Sequence, residues 1–138
     1  MRNAHTLWEL LASLTILSAM VAVVMPPVTH ARDRATVRAA TTTLRAALSS
    51  ARDAAMTRGA AALAIVDATI PAVTVVVNRD TVLRHFLVGD LRSRLSASRD
   101  TIRFGPTGRA FGASNSTLIL RTGSAAETVT VSRVGRVR

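Results

Sequence analysis

The chain has 138 residues, which allows one modest domain beside any membrane segment, and it has no cysteine, which excludes disulfides and thiolate metal sites. The net charge is +10, carried by arginine with no lysine, a field that attracts nucleic acid, anionic lipid or acidic partners. Aromatic residues are limited to Trp8, Phe86, Phe104 and Phe111, too sparse for a base-stacking platform of the single-strand-binding type.

The first element is apolar. No Asp, Glu, Lys or Arg occurs from Leu10 to Ala31, and Leu10 to Val28 approaches the roughly 20 residues of a spanning helix. Two membrane readings compete. As a secretory signal peptide, Arg2 is the basic start, Leu10 to Met25 the apolar centre, and Thr29-His30-Ala31 a small-x-small cleavage site. As a retained anchor, the segment stays on the protein. Glu9 favours the anchor, because an acid at the mouth of the apolar run does not help a signal peptide but complements a helix N-terminus. In lipid that acid is costly without a partner. Pro26 and Pro27 remove backbone donors and either loosen the helix or end the span.

Thr6-Leu7-Trp8-Glu9-Leu10-Leu11 resembles the type IV prepilin signature. Ala4 takes the position of that family's glycine, His5 that of its Phe, and Glu9 that of its acid. The resemblance implies that a prepilin peptidase cuts between Ala4 and His5 and methylates the new N-terminus. It implies that Glu9 meets the N-terminal charge of a neighbouring pilin or pseudopilin, and that Pro26 and Pro27 form a helix joint. Arg32, Arg34 and Arg38 on the presumed outer side run against the positive-inside rule, and the motif outweighs them.

The next element is amphipathic. Val37, Leu44, Leu48, Ala51 and Ala55 fall on one helical face, and Arg38, Arg45 and Arg52 repeat on another, expected to be solvated. Gly59 is the expected C-cap. A helix is therefore expected from near His5 to about Arg58.

From Ala61 the period changes. The runs AALAIVD, AVTVVVN, TVLRHFLV, TIRF, STLILRT and ETVTVSRV read as about six antiparallel strands. They are separated by turn signals at Asn78-Arg79-Asp80, Gly89-Asp90, Gly105 to Gly108, Asn115 and Gly123. Gly89 to Asp100 reads as loop or short helix. The fold class is α+β, with the sheet wrapping the second half of the helix. The expected organisation is a leader at 1–4, a membrane and filament-core helix at 5–29, an amphipathic helix at 30–59 and a β-rich domain at 60–138.

The strand Thr101 to Phe104 followed by Gly105-Pro106-Thr107-Gly108, and the closing Val129 to Arg138, resemble the GspH/FimT branch of the pseudopilins. That resemblance implies a pilin-like fold, a single-pass place in a bacterial inner membrane with the β-domain in the periplasm, and assembly into a short filament of a type II secretion or type IV pilus machine. An exported soluble β-domain is the alternative if the apolar segment is a signal peptide.

Chemistry for catalysis is sparse. His5, His30 and His85 have no ligand spacing, and there is no G-x-S-x-G elbow. GPTGRAFG lacks the lysine and spacing of a phosphate loop. Neither an enzyme nor a cofactor is expected. Arg133, Arg136 and Arg138 crowd the tail, with Gly135 able to bend it so that they aim together at phosphates of duplex DNA. The Gly135-Arg136-Val137-Arg138 ending is similar to that of the DNA-capturing FimT members of the family.

Overall fold

The computed structural model of the protein describes residues 2–87, 93–112 and 115–138, with the main chain alone for residues 2–5. One long helix, α1 (Arg2–Thr57), precedes eight strands: β1 (Ala62–Asp67), β2 (Ala72–Val77), β3 (Asp80–Phe86), β4 (Ser93–Ala97), β5 (Thr101–Phe104), β6 (Ala110–Phe111), β7 (Ser116–Thr122) and β8 (Ala125–Val131). The chain divides into two compact units, Met1–Arg32 and Asp33–Arg138.

No glycine precedes Gly59, and alanine, leucine and arginine dominate, so helix propensity is favourable along α1. Its end is a Schellman motif. Gly59 sits at φ +59°, its N–H donates to Met56 O at 3.4 Å, and the N–H of Ala60 donates to Ala55 O at 3.2 Å. The expected core face is correct: Val37, Leu44, Leu48, Ala51 and Ala55 are all buried, joined by Ala40 and Ala47. These alanines let backbone approach backbone, while Leu44 and Leu48 supply volume. Losing either to Ala is worth about 2–5 kcal/mol.

The strands form two antiparallel sheets rather than the one expected. The order is β3-β2-β1-β5-β6 in the first and β4-β7-β8 in the second. Alternation sets which side chains face α1. Ala62, Ala64 and Val66 of β1, Val73, Val75 and Val77 of β2, and Ile102 and Phe104 of β5 are buried. So are Leu95, Leu118, Leu120, Val129 and Val131 of the second sheet, and all join one apolar cluster with the helix face.

Two strands were not foreseen. β4 falls inside Gly89–Asp100, where loop or short helix was expected; the Gly89-Asp90 turn itself lies outside the described residues. β6 is a two-residue pairing with β5 across the Gly105–Gly108 turn. That turn closes through the N–H of Gly108 to Gly105 O and the N–H of Gly105 to Arg109 O, both at 2.9 Å.

The arginine face of α1 is not uniform. Arg45 is exposed, and Arg38 is exposed with its Nε 3.7 Å from Glu127 Oε1. Arg52 is half-buried and donates from Nε to Gly108 O at 3.1 Å. This corrects the solvated-face expectation at Arg52, because the Gly105–Gly108 turn reaches over the helix at that point.

Candidate assembly helix and arginine tail

Within the first unit, the large apolar side chains from Leu7 to Val28 are exposed, Trp8 to 75% and Val23 to 75%. The apolar window has a mean hydropathy of 2.0, and among the described residues this is the one helix long and apolar enough to cross a membrane. Its hydroxyls are internally satisfied. Ser13 donates to Glu9 O at 2.8 Å, Thr15 to Ala12 O at 2.8 Å and Ser18 to Thr15 O at 3.4 Å. Hydroxyls so arranged ask little of lipid in hydrogen bonding. Glu9 is then the one acid on this surface from Thr6 to Ala31, and it is exposed.

Pro26 and Pro27 both lie inside α1. Neither can donate to the carbonyls four residues back, Ala22 and Val23. The hydroxyl of Thr29 donates to Pro26 O at 2.8 Å. Ala4 and His5 lie in the first turns of α1 by their main chain, and their side chains are outside the described residues.

The tail departs from an extended closing strand. After β8 the chain turns through Ser132 to Gly135, with the N–H of Gly135 donating to Ser132 O and that of Ser132 to Arg136 O, both at 2.9 Å. It then runs back along β8. Thr130 and Arg138 exchange two main-chain bonds of 2.9 Å, and Val137 bridges Val131. Gly135 has φ +77°, and a Cβ there would collide with Gly108 O. So glycine makes the bend, as its position suggested, and also permits the tail to pack against the Gly105–Gly108 turn.

The three tail arginines are not brought together. Arg136 and Arg138 share a groove of about 360 Å³ with Thr130, Ser132, Val134 and Asn115. Arg133 lies instead with Arg109 and Phe111 in another of about 590 Å³. The turn separates them: Arg133 precedes the glycine, while Arg136 and Arg138 follow it with the alternation of a strand. The place of Arg109 was missed. Nothing local in the sequence announces it, because Arg109 meets Arg133 only through the long-range packing of the Gly105–Gly108 turn on the tail, where the N–H of Ala110 donates to Arg133 O at 3.1 Å. Among the described residues no cluster of His, Asp or Glu could hold a metal ion.

The family model described as type II transport protein GspH matches residues 29–135. In fold, the chain is similar to the type IV minor pilin FimU of Pseudomonas aeruginosa (strain PAO1), seen in two crystal forms. In space group P21 the TM-score is 0.66 at 14% identity, covering 76% of this chain and 88% of that one. In space group P65 it is 0.63 at 14%, covering 73% and 90%. No curated protein matches the sequence. A helix feeding antiparallel sheets is the α+β architecture of a structural pilin subunit, and the matched span takes in the amphipathic half of α1, both sheets and the tail turn. The protein therefore belongs to the GspH family of pilin-like subunits.

Proposed function

We propose that the protein is a pseudopilin or minor pilin that is cut between Ala4 and His5, held in the inner membrane by residues 5–29, and assembled into a pilus-like filament of a type II secretion or type IV pilus machine. The observation that carries this reading is the exposed apolar helix, Leu7 to Val28, on a chain of this family. Cleavage before His5 makes Glu9 the fifth residue of the mature chain. There it complements the helix N-terminus and can pair with the N-terminal amine of a neighbouring subunit. An ion pair in lipid is far cheaper than a lone carboxylate, so the pair also fixes axial register between subunits. The β-domain then lies in the periplasm, and the work is mechanical rather than catalytic.

N-terminal mass spectrometry tests the processing. The expected mature chain begins with N-methylated His5. A chain beginning near Arg32 would establish a signal peptide and a soluble exported domain instead. Glu9→Ala is expected to leave the subunit inserted and folded but to lower its entry into filaments. Wild-type assembly by both Glu9→Ala and Glu9→Gln would remove the ion-pair role.

A second reading, capture of duplex DNA, is favoured by Arg136 and Arg138 lining one groove. Phosphate contacts of this kind carry no sequence preference. Replacing both with Gln is expected to lower the slope of log affinity against log salt by about 1.8, two phosphates' worth. Arg38 is engaged with Glu127, so Arg45 on the helix and Arg58 in the turn that ends it are the control. Equal losses from both pairs would indicate the general field of a +10 protein and leave the filament reading alone.

A further inference from the structure

The outward positions of the three-stranded sheet carry an unusual pairing. Arg94 of β4 stands directly opposite Arg121 of β7, and both side chains are exposed. Directly opposed like charges on neighbouring strands are destabilising. Neither guanidinium has an ion-pair partner among the described residues. The sheet's one acid, Glu127, alternates to the other side, where it meets Arg38. Between this pair and the tail the outward positions are mainly hydroxyls, including Ser96, Thr117, Thr128 and Thr130.

The same face continues into the tail. Thr117 is opposite Thr130, and Thr130 is paired by main chain with Arg138. Arg121 and Thr117 are four residues apart on β7, about 13 Å along the strand. The tail lies two strand spacings across the sheet from β7, about 9–10 Å, so Arg121 and Arg138 stand about 16 Å apart on the diagonal. The face thus presents two arginine pairs, Arg94 with Arg121 and Arg136 with Arg138, separated by hydroxyl donors and by about the axial rise of five phosphates on one strand of a duplex. Planar guanidinium forks suit phosphate oxygens, and a bound phosphate relieves the repulsion within the opposed pair. None of the described aromatic residues lies on this face, so unpaired bases find no stacking platform and the duplex backbone is the better ligand.

We propose that Arg94 and Arg121 form a second phosphodiester contact, so that one DNA duplex lies along the outer face of the β4-β7-β8 sheet and reaches the tail pair. This rests on the DNA-capture reading of Arg136 and Arg138, and extends it from a tail to a face.

The test uses the full chain in nonionic detergent micelles and a labelled duplex of arbitrary sequence, with affinity measured across a salt series. Arg94→Gln with Arg121→Gln is expected to lower the log–log slope by about 1.8, as the tail pair does, and all four substitutions together by about 3.6. Arg94→Lys with Arg121→Lys keeps the charge and is expected to retain most of the slope, which separates contact from misfolding. If the tail pair lowers the slope and the sheet pair behaves like the Arg45 and Arg58 control, the sheet contact is overturned and the tail reading survives. If neither pair exceeds that control, both are overturned. A sheet-pair variant that loses binding to phosphatidylglycerol vesicles while keeping full DNA affinity would assign the face to the membrane surface and overturn the proposal.

Discussion

Arg52 on the helix and Gly108 in the β5–β6 turn are joined by one hydrogen bond, from Nε to the main-chain oxygen at 3.1 Å, and Gly135 of the tail closes over that same oxygen. Three distant parts of the chain therefore meet at one carbonyl. A charged donor to a half-buried acceptor is worth about 1.5–3 kcal/mol when removed, less the share recovered by water. Arg52→Ala is expected to cost about 1–2 kcal/mol in urea unfolding. Gly135→Ala meets both the collision and the positive φ, and is expected to cost about 2 kcal/mol or more. Both variants should also loosen protection of the Arg138 amide in hydrogen exchange.

The β2–β3 hairpin offers a gain. Its two-residue loop, Asn78-Arg79, has φ +51° and +70°, the sign a type I′ turn requires at both positions. Asn tolerates this and Arg does not, at about 1–2 kcal/mol. Arg79→Gly is expected to raise stability by about 0.5–1 kcal/mol after the entropy that glycine loses on folding. Thermal unfolding at constant pH checks it.

Thr41 is buried in the helix core face, and its hydroxyl has no hydrogen-bond partner among the described residues. Thr41→Val keeps the shape and removes the unmet donor. The expected gain is about 1 kcal/mol in thermal unfolding, and a loss of stability instead would show that the hydroxyl is hydrogen-bonded in solution.

Asp67 accepts from the N–H of Thr69 at 2.8 Å and of Ile70 at 3.2 Å, holding the turn after β1. The Ile70 N–H first, then that of Thr69, with help from the Arg84 charge, hold its carboxyl below the ordinary carboxylate value. A carboxyl lowered in the folded state stabilises above its unfolded value near 3.9, and that contribution disappears as pH falls through the lowered one. The difference in melting temperature between wild type and Asp67→Ala is therefore expected to be largest near neutral pH and to shrink as pH falls below the ordinary carboxylate range.

A chain starting at Val28 is expected to be soluble and monomeric, because the buried apolar cluster lies wholly within Asp33–Arg138. Sedimentation of the truncated chain decides this. Persistent self-association would place a sticky surface on the β-domain itself.

The helix was legible because its core face repeats locally, and Gly59 marked its end without reference to anything distant. Strands such as Thr101–Phe104 and Ser116–Thr122 were legible for the same reason, as alternating β-branched runs. The two-sheet division was not. It depends on β5 pairing with β1 and β4 pairing with β7, choices made across long stretches of chain. β4 itself, Ser-Arg-Leu-Ser-Ala, has too few apolar residues to declare a period, and it is the burial of Leu95 in the shared core that orients it. At the tail, glycine announced a bend but not its direction, so three arginines expected together were parted at Ser132–Gly135. The opposed Arg94 and Arg121 were invisible for a related reason: register, not spacing in sequence, makes them neighbours.

The return of residues 136–138 along β8 also has a consequence for solubility. Without it, the end of β8, an edge strand, from Thr130 on to Ser132, would present free N–H and C=O groups, a template for pairing with another chain. The tail occupies that template with the protein's own backbone and places two positive charges beside it. Deleting the last three residues should therefore do more than remove arginines. It should lengthen the open edge of the sheet, with aggregation that high salt accelerates because the remaining positive charges no longer hold copies apart.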